Sequence, residues 1–274
     1  MINVDYYISL YNGKKEILLK AGENMSEESR LKIVSYNIHK GFSRFRKLKI
    51  HSLKEKIFLW DPDIIFLQEV QGQHDKYARK KAWPQTTQYD FLGHEHWPYK
   101  AYGPNKFYEH GHHGNAILSR YPIKKMINYD ISTSKMERRG ALYAQIEHPS
   151  GLINAVCLHL SLLAKDRDWQ FNEVSKIILN EINAHESLII AGDFNDWSNK
   201  SRKYFVDKLN CQEVLSAYNG GKPLKSFPSE FPFLALDRIY AKNITPVNAS
   251  IIKDCDKISD HSPVKAEFNL KIKA

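Results

Sequence analysis

Beyond residue 30 the chain alternates between short apolar runs, helix-like repeats and long polar loops. Seven runs have the length and aliphatic content of strands: "LKIVSYNI" (31–38), "DIIFLQEV" (63–70), "GNAILS" (114–119), "ALYAQIE" (141–147), "LINAVCLHL" (152–160), "SLIIAGDF" (187–194) and "LDRIYA" (236–241). "LKIHSLKEKIFLW" (48–60) predicts a helix. So does 166–184, where Phe171, Val174, Ile178 and Ile182 recur at helical spacing. A shorter helix is expected around 200–209. Before all of these, "YYISLYNGKKEILL" places two runs of strand formers around Asn12-Gly13, a hairpin signal, and "GENMSEESR" reads as a linker. The expected organisation is an N-terminal extension over residues 1–30 and one main domain over 31–274. Mixed strands and helices of this length predict an α+β fold with packed sheets flanked by helices.

Composition narrows the class. Of the 274 residues, 42% are hydrophobic and 26% charged, an ordinary globular balance. No apolar run approaches the roughly 20 residues of a membrane-crossing helix. "MINVDYYISLYNG" lacks the layout of a secretory signal. Cys157, Cys211 and Cys255 are too few and too scattered for a zinc pattern or a disulfide framework, so a reducing cytoplasmic setting is expected. A net charge of +9 would draw polyanions such as nucleic acid, an anionic membrane surface or a phosphorylated metabolite. The same charge also serves plain solubility. Nothing points to an obligate protein partner.

The chemistry lies in where polar residues interrupt apolar runs. Asn37, Glu69, His159 and Asp193 each fall at or near the end of a predicted strand. Asp237 lies within "LDRIY", and Asp260 and His261 within "SDHSPV". Each has an ordinary explanation by itself: a turn, a helix cap, a satisfied rim histidine, or a plain Asp237–Arg238 ion pair. Together they offer carboxylates, an amide and two imidazoles that a rigid scaffold could gather. Oxygen donors without a Cys/His cluster favour Mg²⁺ or Mn²⁺. Imidazole and amide donors beside such a cation suit phosphoester hydrolysis. Walker, G-x-S-x-G and H-E-x-x-H motifs are absent.

In order, "SYNIHKG", "FLQEV", "GNAILS", "HLSL", "GDFND", "LDRIY" and "SDHSPV" resemble the endonuclease/exonuclease/phosphatase (DNase I-like) superfamily over residues 31–270. The resemblance implies a four-layer sandwich of two mostly antiparallel sheets with helices outside. It implies Glu69 as metal ligand with Asn37 and Asp260 beside it, Asp193 handling the attacking water, Asn195 holding a phosphoryl oxygen and His159 donating to the phosphate. It implies His261 donating likewise or moving a proton, held by Asp237, and leaves open whether Asp193 or His261 is the base. Arg139 of "MERRGAL" and Asn115 of "GHHGNAILSR" are further candidates for phosphate contact, whereas Arg138 is expected to be a solvated surface charge, and a hydrogen-bonded loop role suits His112 and His113 at least as well as phosphate contact. "LALDRIY" departs from the motif of inositol polyphosphate 5-phosphatases. Together "NIHKG" and "HHGNAILSR" look closest to an uncharacterised bacterial branch.

On substrate, the resemblance and the charge imply a nuclease on DNA or RNA. The alternatives are a phosphodiesterase or phosphatase for phospholipids or soluble metabolites, and a non-catalytic binding module on the same fold. The stretches 93–115 and 225–237, both aromatic and basic, are expected to be loops flanking the site.

Overall fold

A computed structural model describes residues 7–11, 14–18, 28–253, 255 and 257–271. In the N-terminal stretch β1 (Tyr7–Tyr11) pairs antiparallel with β2 (Lys14–Leu18), Tyr11 opposite Lys14. The expected turn residues Asn12 and Gly13 lie outside the described residues.

Two six-stranded sheets follow. The first is built from β3 (Glu28–Asn37), β4 (Ile64–His74), β5 (Tyr99–Tyr108) and β6 (Gly111–Ser119). The second contains β7 (Ile123–Asp130), β8 (Gly140–His148), β9 (Gly151–His159), β10 (Ser187–Asp193), β11 (Gln212–Glu213) and β12 (Asp237–Lys242). Two last strands, β13 (Thr245–Ile251) and β14 (Val264–Lys271), return to the first sheet. Strand order is β13-β14-β3-β4-β6-β5 in the first and β11-β12-β10-β9-β8-β7 in the second.

Most neighbours are antiparallel; β3–β4 and β9–β10 are parallel. A parallel pair needs a crossover. Here the crossovers are the two long helices, α1 (Ile50–Trp60) between β3 and β4, and, after the short α2 (Asp75–Ala78) and α3 (Gln88–Gly93), α4 (Ala164–Glu181) between β9 and β10. Short α5 (Val214–Ala217) lies before β12, and the helix expected around 200–209 is a π-type turn at Lys203–Lys208.

Strand alternation makes the layers. Ile33, Ile64, Phe66, Ile189 and Ala191 face the core between the sheets. Their neighbours Val34, Ile65 and Leu67 face outward under α1 and α3. On the other side Leu188 and Ile190 pack with Phe171, Val174 and Ile178 of α4. This is the expected DNase I-like α+β sandwich. Burial on both faces explains why β3, β4 and β10 read as nearly continuous apolar runs.

The reading of 93–115 as loop needs correction, because β5 and β6 occupy most of it. Pro104 and Gly103 sit in β5, an edge strand that tolerates them. The main sandwich also begins earlier than Leu31, since Glu28 already pairs with Lys271.

Candidate active site

The two parallel pairs decide where chemistry can gather. The register gathers residues at one edge of the sandwich: Asn37, the last of β3, stands against Gln68 within β4, and Asp193, the last of β10, stands against His159, the last of β9, and Asp237, the first of β12. Loops positioned by such a frame are where binding residues collect.

Two local devices aim the acids. The β4–β6 ladder slips between Leu67 and Val70, and inside that bulge Glu69 has φ 56°. A non-glycine residue there is held by its surroundings, a pattern common at functional sites. Gly192 precedes Asp193 with φ 151°, and a Cβ on it would lie 2.0 Å from the Leu158 carbonyl oxygen. Only glycine lets β10 lie this close to β9 at that point.

Asp193 is the hub. Its Oδ1 accepts the Asn195 backbone N–H at 3.0 Å, and its Oδ2 accepts Asn37 Nδ2 at 3.0 Å. The same Oδ2 lies 3.5 Å from His261 Nε2 and 3.6 Å from His159 Nε2. His261 donates Nδ1–H to Asp237 Oδ2 at 2.9 Å, and Ser226 Oγ donates to the same oxygen. Ser259 Oγ donates to the Asn37 carbonyl at 2.7 Å, which ties "SDHSPV" to the end of β3. All of these site groups are buried.

Burial and neighbours push the two imidazoles apart. Burial lowers His261, but Asp237 and Asp193 outweigh it and raise it to about 10, so the ring is cationic. His159 is held well below the ordinary value, first by burial, then by Arg139 and His261, so it is neutral. Its approach to Asp193 is therefore a contact between a neutral ring and a carboxylate. Burial raises Asp193 to about 6, with His261 pulling the other way.

Glu69 sits beside this hub: Lys40 and His113 act electrostatically on both Glu69 and His159. Burial raises the Glu69 carboxyl, yet Lys40, His39 and His113 together bring it below the usual carboxylate value. Lys40 Nζ stands 3.4 Å from Oε2, a buried oxygen that accepts no hydrogen bond. Asp260 Oδ1 lies 3.8 Å from His39 Nδ1.

Among the described residues, no three His, Cys, Asp or Glu side chains form a chelating group. A hard cation does not need one, because Mg²⁺ is commonly held by one or two carboxylates plus water and substrate phosphate. Glu69, whose Oε2 has the Lys40 ion pair but no hydrogen bond, and Asp260 fit that requirement. Asn37 Oδ1 already accepts the His39 N–H at 3.1 Å and keeps one lone pair.

Nearly every expected residue is therefore at this edge. Arg139 donates Nε–H to the Leu160 carbonyl at 3.2 Å and a second N–H to Glu137 at 2.8 Å, which leaves part of its guanidinium unspent. Asn195 gives one amide hydrogen to the same carbonyl at 2.9 Å. Asn115 differs from expectation. Its Nδ2 bridges the Gly140 and Cys157 carbonyls at 3.0 and 3.3 Å, so both hydrogens bind backbone of the second sheet. Arg138 ion-pairs with Asp130 on the surface. Asp237 and Arg238 do not pair, because strand alternation sends them to opposite faces and Arg238 donates to the Asp196 carbonyl. His112 is taken up by Tyr102 at 2.9 Å.

His39, Lys40 and Ser226 join the site without having been singled out from the sequence. His39 and Lys40 lie inside "NIHKG", where a strand end followed by Gly41 marks a site loop. Ser226 gave no comparable signal.

A model of the endonuclease/exonuclease/phosphatase family matches residues 34–261. The protein YbhP of Escherichia coli K12 is 37% identical over 253 residues, covering 90% of this chain and 99% of that protein. Among solved structures, an endonuclease/exonuclease/phosphatase from Beutenbergia cavernae superposes with a TM-score of 0.70 at 18% identity, covering 88% of this chain and 72% of that one. TDP2 of D. rerio, complexed with single-strand DNA product, superposes with a TM-score of 0.61 at 20% identity, covering 88% and 99%. At such identities these structures speak to the fold, whereas the family match and the 37% identical relative speak to descent. The chain belongs to the endonuclease/exonuclease/phosphatase family, whose membership supports phosphoester hydrolysis in general.

Proposed function

We propose that the protein is a Mg²⁺- or Mn²⁺-dependent phosphodiesterase. One observation carries this reading: Asn37, His159 and His261 converge on a single oxygen of Asp193, and the acid Glu69 follows Gln68, the register partner of Asn37. A binding module needs no such pairing of one charged and one neutral imidazole around a buried acid.

Glu69 with Asp260 would hold the cation, with Asn37 at its side, and the cation would polarise a phosphoryl oxygen. Asp193, raised towards neutrality, takes the proton of the attacking water; a base works best when its pKa lies near the working pH. The cationic His261, fixed by Asp237, and the neutral His159 donate to phosphoryl oxygens as charge develops. The spare hydrogens of Asn195 and Arg139 serve the same oxygens. Asn115 instead ties β6 to the second sheet. Between the two candidate bases, the charge on His261 favours Asp193.

For substrate, the net charge of +9 supports nucleic acid, and TDP2 of D. rerio, a structural neighbour, holds a single-strand DNA product. A second reading, a phospholipid headgroup, has its own support in the exposed apolar side chains around the mouth of the site. The free, buried cysteines suit a cytoplasmic setting. No described helix is long and apolar enough to cross a membrane.

Plasmid nicking, bis-p-nitrophenyl phosphate turnover and phospholipid turnover, each with Mg²⁺ or EDTA, test the proposal. Metal-dependent hydrolysis lost in His159→Ala is the expected result. Nicking would name nucleic acid, and lipid turnover without nicking would name the headgroup. Inertness towards every phosphodiester would return the chain to a binding role.

A further inference from the structure

More than half of the large exposed hydrophobic side chains described stand at the site end of the sandwich, on different loops. Phe45 follows β3, Phe107 ends β5, Met136 lies between β7 and β8, Leu162 and Leu163 follow β9, Trp197 follows β10, and Phe231 and Phe233 precede β12. Met136 is 84%, Phe231 81% and Phe45 71% exposed. Single exposed apolar residues are ordinary on a protein surface; a ring of them around one opening is not.

These tips are tied together. Lys106 Nζ donates to the Met136 carbonyl at 2.7 Å, which joins the Phe107 hairpin to the Met136 loop. Glu137 accepts the Leu162 N–H at 3.2 Å and joins that loop to the next. Arg167 bonds the Ser161 and Leu162 carbonyls while its guanidinium covers the Trp197 ring at 4.4 Å. Across the opening, Arg44 pairs with Glu230 at 3.7 Å and joins the Phe45 loop to the Phe231 loop. The tips are thus braced in two groups at the end of the sandwich that carries Asp193.

Cations are set among these tips. Lys106, Lys135 and Arg138, with Phe107, line a cavity of about 540 Å³ that reaches Arg139. Arg44, Lys47, Lys49 and Lys257 line another beside Phe45, with Glu230 the acid among them.

We infer that this rim seats the protein on an anionic phospholipid bilayer with the pocket facing the headgroups. Apolar tips enter the interface while lysine and arginine meet lipid phosphates, the combination by which peripheral proteins hold a membrane. Single-stranded nucleic acid, gripped by stacking on π faces, is the competing partner; Phe45, Phe107, Trp197, Phe231 and Phe233 offer such faces, whereas Met136, Leu162 and Leu163 among them suit a bilayer alone. Headgroup phosphate as substrate rests on the phosphodiesterase reading above. Docking is read by binding alone.

Co-sedimentation with phosphatidylcholine vesicles, with and without roughly 30 mol % phosphatidylglycerol, tests the inference, because the surface charge of the leaflet sets the cationic contribution. The expected result is binding to the anionic vesicles that weakens on the order of tenfold or more when Leu162, Leu163, Phe231 and Phe233 are all changed to Ser. Trp197 fluorescence should shift to the blue on binding. Part of the binding should survive about 0.5 M salt, where charges are screened within a few Å. Vesicle binding by a chain that hydrolyses nothing would still support docking and would count against the phosphodiesterase alone. No vesicle binding, binding abolished by salt and indifferent to the four substitutions, or loss of single-stranded DNA binding in the variant without any lipid binding would overturn it.

Discussion

Nδ1 of His261 lies 2.9 Å from Oδ2 of Asp237, and this bond leaves one of two site histidines charged and the other neutral. His159, with no carboxylate behind it comparable to Asp237, stays neutral in the same buried edge.

Asp237→Asn should therefore lower the His261 pKa and cut turnover by about 10²-fold or more, the scale of a lost acid–base group. A ring-proton NMR titration reads the first effect directly. In wild type the His261 resonances should titrate far above those of an ordinary histidine, and in the variant they should move down. An unchanged His261 titration would remove Asp237 from this role.

The same bond sets a pH dependence of stability. The folded pKa of His261, about 10, exceeds the ordinary 6.5, so its contribution is complete below about 6.5 and is lost as pH rises through 10. Asp193 acts in the same sense over a lower window, since its value is raised from 3.8 to about 6 and ionising it in the fold costs stability as pH rises through that window. Urea midpoints of wild type and His261→Gln should therefore differ most near pH 6.5 and converge towards pH 10. A gap independent of pH would contradict the assignment.

Glu69→Ala should weaken Mn²⁺ binding by tenfold or more in calorimetry and shift the unfolding free energy by only about 1 kcal/mol. Lys40 is left unpaired, but it is partly exposed, and such pairs contribute little to stability. Wild-type Mn²⁺ affinity in the variant would remove Glu69 from the cation site.

Gly192→Ala tests the frame beneath the site. A methyl group 2.0 Å from the Leu158 carbonyl must push β10 from β9, at a cost of about 1–3 kcal/mol or more. Asp193 would move with the strand, so activity should fall as well. Wild-type thermal stability in this variant would show that the close approach is not required.

Much of this was legible in the chain. β3, β4, β9 and β10 carry continuous apolar runs because both faces are covered, and their polar ends became the site. Other elements were harder. β7 is an edge strand with half-exposed residues and no clean alternation, and β5 holds Gly103 and Pro104, which read as loop. β14 is a different case. Val264, Ala266, Phe268 and Leu270 alternate strictly and are all buried, a strand signal among no expected run. Within the site, residue types pointed to the chemistry, but spacing could not distinguish Asn195, which spends one amide hydrogen on the Leu160 carbonyl, from Asn115, which spends both on backbone. Only register decides that, because Asn115 pairs with Gly103 in the first sheet while its side chain crosses to the second. Ser226 was invisible for the same reason, since its partner Asp237 is set by the fold rather than by a motif.

On the proposed function, Asp193 and its neighbours form a hydrolytic centre. Turnover of bis-p-nitrophenyl phosphate with Mn²⁺, measured side by side for wild type and the nearly isosteric Asp193→Asn, tests it most directly. The expected result is metal-dependent hydrolysis that EDTA abolishes and that the substitution lowers by about 10²–10⁴-fold with the fold intact. Equal rates in the two proteins, or no hydrolysis by wild type under any divalent cation, would contradict it.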